Sequence, residues 1–552
     1  MSLLGKKWTL LSQNTGGDLL ATLLKNRGLT TETECRRFLS HDLGALHDPF
    51  QLKDMDKAVA RVQQAITSHE KIMIFGDYDV DGITGTALLY DFFQRQGVPA
   101  LTTLPHREKD GYGLKDFFIQ QFSDQGIQLL ITVDCGTANA REIALARERG
   151  IDVIVVDHHQ APLELPNAVA LINPCRSDCA YPCKHLCGST LAYKLITALE
   201  RQGAEKGDSS YQLSLVVMGL VADCVPLLDE NRLLTMAGLE ALRNTAHPGI
   251  QSLLRIAGVK PETLDTITIG FQLAPRLNAA GRMETPNHSL ELLLGNTEKA
   301  MLINTLNQKR QATVERTVEE ALEQMAQKKE IPLVIVLSNP GWQPGVLGLI
   351  ASKLVERFQR PAIILQEQEH QFVASCRSLS DFDITDFLRE EAGELFSSFG
   401  GHKMAGGFAL PKKHWGLFQN KVARAAPEYI DPAKLTEELR IDCALDSQEL
   451  HFDTLKTIKA AAPYGMQNPE PLFALKNATI MNTRIVGSAA NHLQLKVASN
   501  GKTFPAIAFR FGKHFEAMNR MEQADVAFHL DLNEWNGVRN LQLKVVDVRA
   551  SA

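Results

Sequence analysis

Three short apolar runs constrain this chain more than any other feature. KIMIF (71–75), IQLLITV (127–133) and IDVIVV (151–156) are separated by helix-forming segments, and each ends in carboxylates or histidines. Runs this apolar have to be covered on both faces, and their alternation with helices sets them side by side in a parallel sheet. Ligands of such a sheet bind beyond the carboxyl ends of its strands. The first run leads into Asp77, Asp79 and Asp81, the second into Asp134, and the third into Asp157, His158 and His159. Asp223 adds an acid inside the apolar segment GLVADCVPL, where an unpaired charge is costly to bury. Carboxylates crowded on one edge repel one another unless cations compensate. Asp with His is ligand chemistry for Mn²⁺ or Mg²⁺ rather than for a thiolate site. More than five such ligands suffice for two ions, the arrangement that clamps both oxygens of a phosphoester displacement.

Each acid alone has a plainer reading. DYDVDG opens like a calcium-binding EF-hand loop, but that loop needs a Glu at position 88, which is Leu88. A DxD after a strand is ordinarily a turn or a helix cap. Asp157 and Asp223 could be helix-terminus residues, and one of two adjacent histidines could be a surface group. The weight lies in the conjunction, because independent accidents do not all fall at strand ends.

The rest of the 552 residues divides by pattern, and the length itself requires several cores. Residues 1–70 read as an N-terminal segment of short helices, and 71–290 as the acid-bearing α/β domain. A long helix over 296–330, with Val314, Val318, Ala321, Leu322 and Met325 at helical spacing, connects to a second α/β domain over 331–430. Residues 440–552 hold five short strands, which suggests a small barrel such as an OB-fold. With 44% hydrophobic and 22% charged residues the chain is not disordered, and a net charge of −6 rules out an all-over basic coat but not a local basic groove. The longest apolar stretch, Leu213 to Leu228, is broken by Asp223 and falls short of the roughly 20 residues a membrane span needs. The N-terminus lacks a long apolar signal segment, and nine cysteines in such a chain are no disulfide framework, so the reading is a cytoplasmic protein. Cys175, Cys179, Cys183 and Cys187 recur every four residues, but without the C-x₂-C pairs usual for zinc, and Pro174 and Pro182 break the helix that would align them.

GDYDVDG, TVDCG, VDHH and VADCVPL resemble the four motifs of the DHH phosphoesterase superfamily, and most closely its RecJ branch of single-strand-specific 5′→3′ exonucleases. QLAPRLNAAGRM (272–283) is similar to a signature of that branch. SCRS (375–378) and FGGHKMAGGF (399–408) resemble the DHHA1 domain, and PYGMQNPEPLF (463–473) resembles the approach to its C-terminal OB domain. The resemblance implies two bound Mn²⁺ or Mg²⁺ ions held by Asp79, Asp81, Asp134, His158 and Asp223, with Asp134 bridging. Asp77 and Asp157 would orient the ligands, and His159 would be a ligand or a contact to the scissile phosphate. Many superfamily members carry a His four residues before the first metal-binding Asp; Phe75 stands there, as in the RecJ branch.

Holding the strand needs further groups. Arg276, Asn278 and Arg282 surround a small-residue turn, and arginine forks match phosphate oxygens. Ser375 and Arg377 are candidate contacts to phosphate or to the 5′ end. Gly400, Gly401 and His402, with Gly406, offer backbone amides and close approach. The family usually has Trp-His where this chain has Trp342-Gln343, so no charge is available at 343. The implied activity is two-metal hydrolysis of single-stranded DNA from its 5′ end to 5′-mononucleotides, in DNA repair and recombination. The implied groove between the DHH and DHHA1 domains passes one strand, and the barrel grips it by stacking and charge, with Tyr464, Phe473, Phe509 and Phe511 as candidate aromatics. A RecQ-like helicase and a single-strand-binding protein are the partners such a family suggests. Two rivals are a DHH enzyme for short or cyclic oligonucleotides and a catalytically dead binding scaffold; the barrel and Phe75 argue against the first, and the complete acid set against the second.

Overall fold

The computed structural model describes residues 2–13, 17–432, 435, 437–487, 489–535 and 537–551. The chain divides into two units, Met1–Ser40 with Ala433–Ala552 and His41–Pro432. The segment 1–70 is therefore split between them rather than forming one helical piece. Its first element is a strand, β1 (Lys7–Leu10), whose four residues are too few to show a period in the sequence.

The larger unit begins with the helix Met55–Thr67 and a parallel sheet of β2 (Ile72–Gly76), β3 (Ala100–Thr103), β4 (Leu129–Val133), β5 (Asp152–Val156) and β6 (Ala170–Ile172). The strand order is β3-β2-β4-β5-β6. Alternate residues feed opposite layers: Ile72, Ile74, Ile131 and Ile154 join one core, while Met73, Phe75, Leu130 and Val153 join the other. This two-sided burial is why the strands read as unbroken apolar runs. The chain leaves β2 to one side for β3 and returns past it to β4. The carboxyl ends of β2 and β4 thus flank the point where strand order reverses, the usual ligand crevice of a doubly wound sheet. Residues 211–255 are helical as expected, in Ser209–Ala222, Asp229–Arg243 and Pro248–Ala257.

The connector is one 28-residue helix, Lys299–Ala326, about 42 Å long at 1.5 Å per residue. Ala300, Ile303 and Leu306 at its start belong to the first core, and Val314, Ala321 and Met325 near its end to the second. The second sheet contains β7 (Ile335–Asn339), β8 (Ala362–Glu367), β9 (Gln371–Arg377), β10 (Ser398–His402) and β11 (Ala405–Pro411), in the order β10-β11-β9-β8-β7. Only β7 and β8 are parallel; the other pairs are antiparallel.

The smaller unit contains β12 (Glu438–Ile441), β13 (Cys443–Ala444), β14 (Phe473–Val486), β15 (His492–Ser499), β16 (Lys502–Ala508), β17 (Ala524–Trp535) and β18 (Val538–Ala550). Pairing of β14 with β17 closes β14-β15-β16-β18-β17 into the expected five-stranded barrel. β1 pairs with β12 in parallel, and the Trp8 indole donates to Asp547 Oδ2 at 2.9 Å. Phe473 and Phe511 are core residues of this unit, whereas Phe509 is exposed.

Candidate metal centre and phosphate-binding cluster

Asp79 caps the helix Val80–Arg95 that follows β2, its Oδ1 accepting from the amides of Asp81 and Gly82 at 2.9 and 3.2 Å. The plain reading of this Asp as a helix cap thus holds for one oxygen. Asp81, in the first turn of that helix, is fully buried. Its two oxygens accept from the amides of Gly188 and Ser189 at 2.5 and 2.9 Å, at the start of the helix Gly188–Arg201, where the helix dipole favours a negative charge. Asp134 follows β4 in the left-handed region, φ 61°, a conformation Asp tolerates better than most residues. Asp223 ends the helix Ser209–Ala222.

These groups converge. His158 Nε2 lies 3.0 Å from Asp134 Oδ1, 3.7 Å from Asp223 Oδ2 and 3.9 Å from Asp81 Oδ2. Three sets of side chains can each bring ligand atoms within 4.8 Å of one another: Asp77, Asp79 and Asp134; Asp81, His158 and Asp223; and Asp134, His158 and His159. Asp134 belongs to two of them. Asp77 stands among the potential ligands rather than behind them, and its buried Oδ1 has no hydrogen-bond partner. Asp157 is in none of these sets. Its Oδ1 accepts from the amides of His158 and His159 and from His159 Nδ1, and its Oδ2 from the Thr137 amide.

The electrostatics describe a site built for cations. Burial, then the charges of Asp81 and Asp79, push Asp223 up to about 9. Burial and neighbouring carboxylates hold Asp77 and Asp134 well above the usual range. Burial works against the charge of His159, but the Asp157 carboxylate holds it up at about 9. Burial likewise pushes Asp157 up, yet the hydrogen bond and charge of His159 leave it well below the ordinary range. Three repelling acids, an unpartnered carboxylate oxygen and a hard O/N donor set fit divalent cations of the Mn²⁺ or Mg²⁺ kind.

A second cluster is positive. Burial, then the charges of Arg107, Arg310 and Arg377, push the Arg282 guanidinium down, and Arg276 acts likewise on Arg310. The arginines at 276, 282 and 377 are thus linked through mutual repulsion, with Arg107 and Arg310 completing the set. Such crowding marks a place for an anion. The expected turn around Arg276, Asn278 and Arg282 is instead the helix Ala274–Met283, because Ala, Leu and Arg favour a helix and Pro275 is tolerated in its first turn. Asn278 is half-buried on it. Arg377 Nη1 donates to Ser375 Oγ at 3.3 Å and to the Cys376 carbonyl at 2.7 Å, and Arg282 Nη1 donates to the Gly345 carbonyl, beside Gln343, at 3.0 Å. His402, from the exposed Gly400-Gly401 strand that pairs with Gly406, lies over His159 with ring centroids 5.8 Å apart.

Sequence reasoning missed Arg107, which lies over the Tyr78 ring at 4.6 Å, and Arg310 on the connecting helix. It also missed Tyr112, whose hydroxyl lies 3.2 Å from both the Asp134 carbonyl and His159 Nδ1, and Asn173, which donates to the His159 carbonyl at 2.9 Å. Asn173 follows β6 and Tyr112 sits in the glycine-flanked EKDGYG, signals that could have found them; Arg310 has none. Phe75 points into the opposite core against Phe118 and Phe122. Among the described residues, Cys175, Cys179, Cys183 and Cys187 are free thiols and belong to none of the ligand groupings.

Fold and site together define a class: a DHH–DHHA1 chain with an acid–histidine centre at the switch point of its first sheet. Family models match in this order: the DHH family N-terminal domain over residues 71–220, the DHHA1 domain over 330–428, and the RecJ OB domain over 441–547. The single-stranded-DNA-specific exonuclease RecJ of Bacillus subtilis is 34% identical over 540 residues, covering 97% of this chain and 68% of the relative. That of Salmonella typhimurium is 34% identical over 556 residues, covering 96% and 95%. The crystal structure of RecJ in complex with Mn²⁺ from Thermus thermophilus superposes with a TM-score of 0.83 at 27% identity, covering 99% of this chain and 80% of that one. The chain belongs to the RecJ family of single-stranded-DNA-specific exonucleases.

Proposed function

We propose that this protein hydrolyses single-stranded DNA from its 5′ end and releases 5′-mononucleotides, in DNA repair and recombination. The observation that carries the reading is the pairing of an acid–histidine centre holding an unpartnered Asp77 oxygen with a cluster of mutually repelling arginines. Asp79, Asp81, Asp134, His158 and Asp223 would hold two divalent ions, with Asp77 a further ligand candidate on geometry. Bound Mn²⁺ or Mg²⁺ supplies an activated water and neutralises phosphate charge. Asp157 fixes the orientation of His159, which would face the scissile phosphate. Arg282 and Arg377, supported by Ser375, receive the terminal phosphate, and Arg107 and Arg310 add to the same field. The glycines at 400, 401 and 406 let the strand pass close to His402. The barrel supplies a second grip on the strand, and a RecQ-like helicase and a single-strand-binding protein would provide and clear it.

Among the described residues no helix is long and apolar enough to cross a membrane, and a cytoplasmic location is part of the proposal. The test compares degradation of one labelled sequence as single strand and as blunt duplex with Mn²⁺. Preferential loss of the single strand is expected. Tight binding without cleavage would favour the inactive scaffold.

A further inference from the structure

We infer that Phe271 is a stacking platform for a base of the bound single strand, seated beside Arg276. The inference rests on the strand-degrading function proposed above and names a contact that function does not include.

Residues Ile269–Leu273 form a π-helical turn, immediately before the helix Ala274–Met283. Its cause is local. Pro275 has no N–H, so the Phe271 carbonyl lacks its α-helical donor four residues on. The ladder slips, and the Ala274 amide donates to Ile269 five residues back. Widened turns of this kind are frequent at functional sites. Ile269 and Leu273 remain in the core, while Phe271 is 79% exposed.

One exposed apolar ring needs no explanation by itself. What marks this one is its company. Arg276 folds back on the same turn, its Nη1 donating to the Gln272 carbonyl at 2.7 Å and its Nε to Asn304 Oδ1 at 3.2 Å. Its charge acts on Arg310, which in turn acts on Arg282. On the other side, a Cβ at Gly270 would lie 3.8 Å from Val221, two residues before Asp223. The turn is therefore followed directly by Arg276 and packs against the helix that ends at Asp223. A solvent-facing aromatic rooted beside a fixed guanidinium is the pairing by which proteins hold single strands, the ring taking a base and the cation its phosphate. Bases of a duplex are already stacked on their neighbours, so this contact favours an unpaired strand.

The test measures binding of a 3′-labelled oligothymidylate to the full chain by fluorescence anisotropy, in EDTA so that no cleavage occurs. Phe271→Ala raises Kd about tenfold, the scale of one lost base–aromatic stack, and Phe271→Trp restores it. Phe117→Ala, at an exposed Phe on the separate helix Asp116–Asp124, leaves binding unchanged. A scan of single abasic sites along the oligonucleotide shows one position whose penalty in the wild type vanishes in Phe271→Ala. Binding by Phe271→Ala within twofold of wild type, or an undiminished abasic penalty, overturns the inference. A wild type that binds no single strand in EDTA and degrades none in Mn²⁺ overturns the proposed function as well.

Discussion

At the residue scale the site turns on Asp134. Among the described residues it alone is grouped with both Asp77–Asp79 and His158–His159, and it holds that place from a left-handed backbone. Asp134→Asn removes the charge and keeps a side chain that tolerates this backbone. Loss of an ion that supplies several kcal/mol of charge stabilisation corresponds to on the order of a thousandfold in rate. The variant should lose that much activity, and it should also lose the rise in Tm that saturating Mn²⁺ gives the wild type. Saturation at about 100 times Kd stabilises a folded protein by about 2.7 kcal/mol per site. A variant whose Tm still climbs with Mn²⁺ would remove Asp134 from the centre. Most of this acid set was legible in the sequence because each member ends an apolar run or interrupts one. The standing of Asp77 was not, since only packing shows that its Oδ1 is left without a partner.

At the element scale, pattern showed the strands buried on both faces and the long helix. It missed β3 and β6, of four and three residues, and the π turn, which depends on Pro275 and on packing rather than on periodicity. The alanine- and arginine-bearing signature read as a turn because its small residues hide a helix whose buried face is mainly Ala and Leu. Arg310 lies on the connecting helix and belongs to the proposed phosphate-binding cluster. Arg310→Ala should weaken single-strand binding equally across sequences and reduce the slope of log K against log salt by about 0.7, the value for one phosphate contact on a single strand. An unchanged slope in a salt titration would place Arg310 off the strand.

The helix Met55–Thr67 is tied down by Asp54, which pairs with Arg176 at 2.6 Å and Lys57 at 2.7 Å. Burial pushes the Asp54 carboxyl up, but these cations hold it below its usual value. A carboxyl depressed in the folded state adds stability above its unfolded pKa, near 4, and loses it as pH falls through the lower folded value. Asp54→Asn should therefore cost about 2 kcal/mol at pH 7, the scale of a hydrogen bond to a charged group, and the difference from wild type should shrink steadily below about pH 4. Denaturant unfolding at a series of pH values measures this; a cost that stays constant into acid would mean the pair contributes no charge-dependent stability.

Over the whole molecule, a net charge of −6 looks adverse for a protein that grips DNA. The structure separates the signs: carboxylates gather where cations would sit, and arginines gather where phosphate would sit. Composition carries no trace of that separation. The order of the domains was readable along the chain, whereas the attachment of β1 to the barrel unit required pairing with β12, distant in sequence. The most direct measurement follows one single strand labelled in parallel at its 5′ and 3′ ends, incubated with the protein and Mn²⁺. Immediate release of the 5′ label as mononucleotide is predicted, with the 3′ label retained on a progressively shortening strand. Release of the 3′ label first, or internal cuts that leave both labels on fragments, would contradict the assignment.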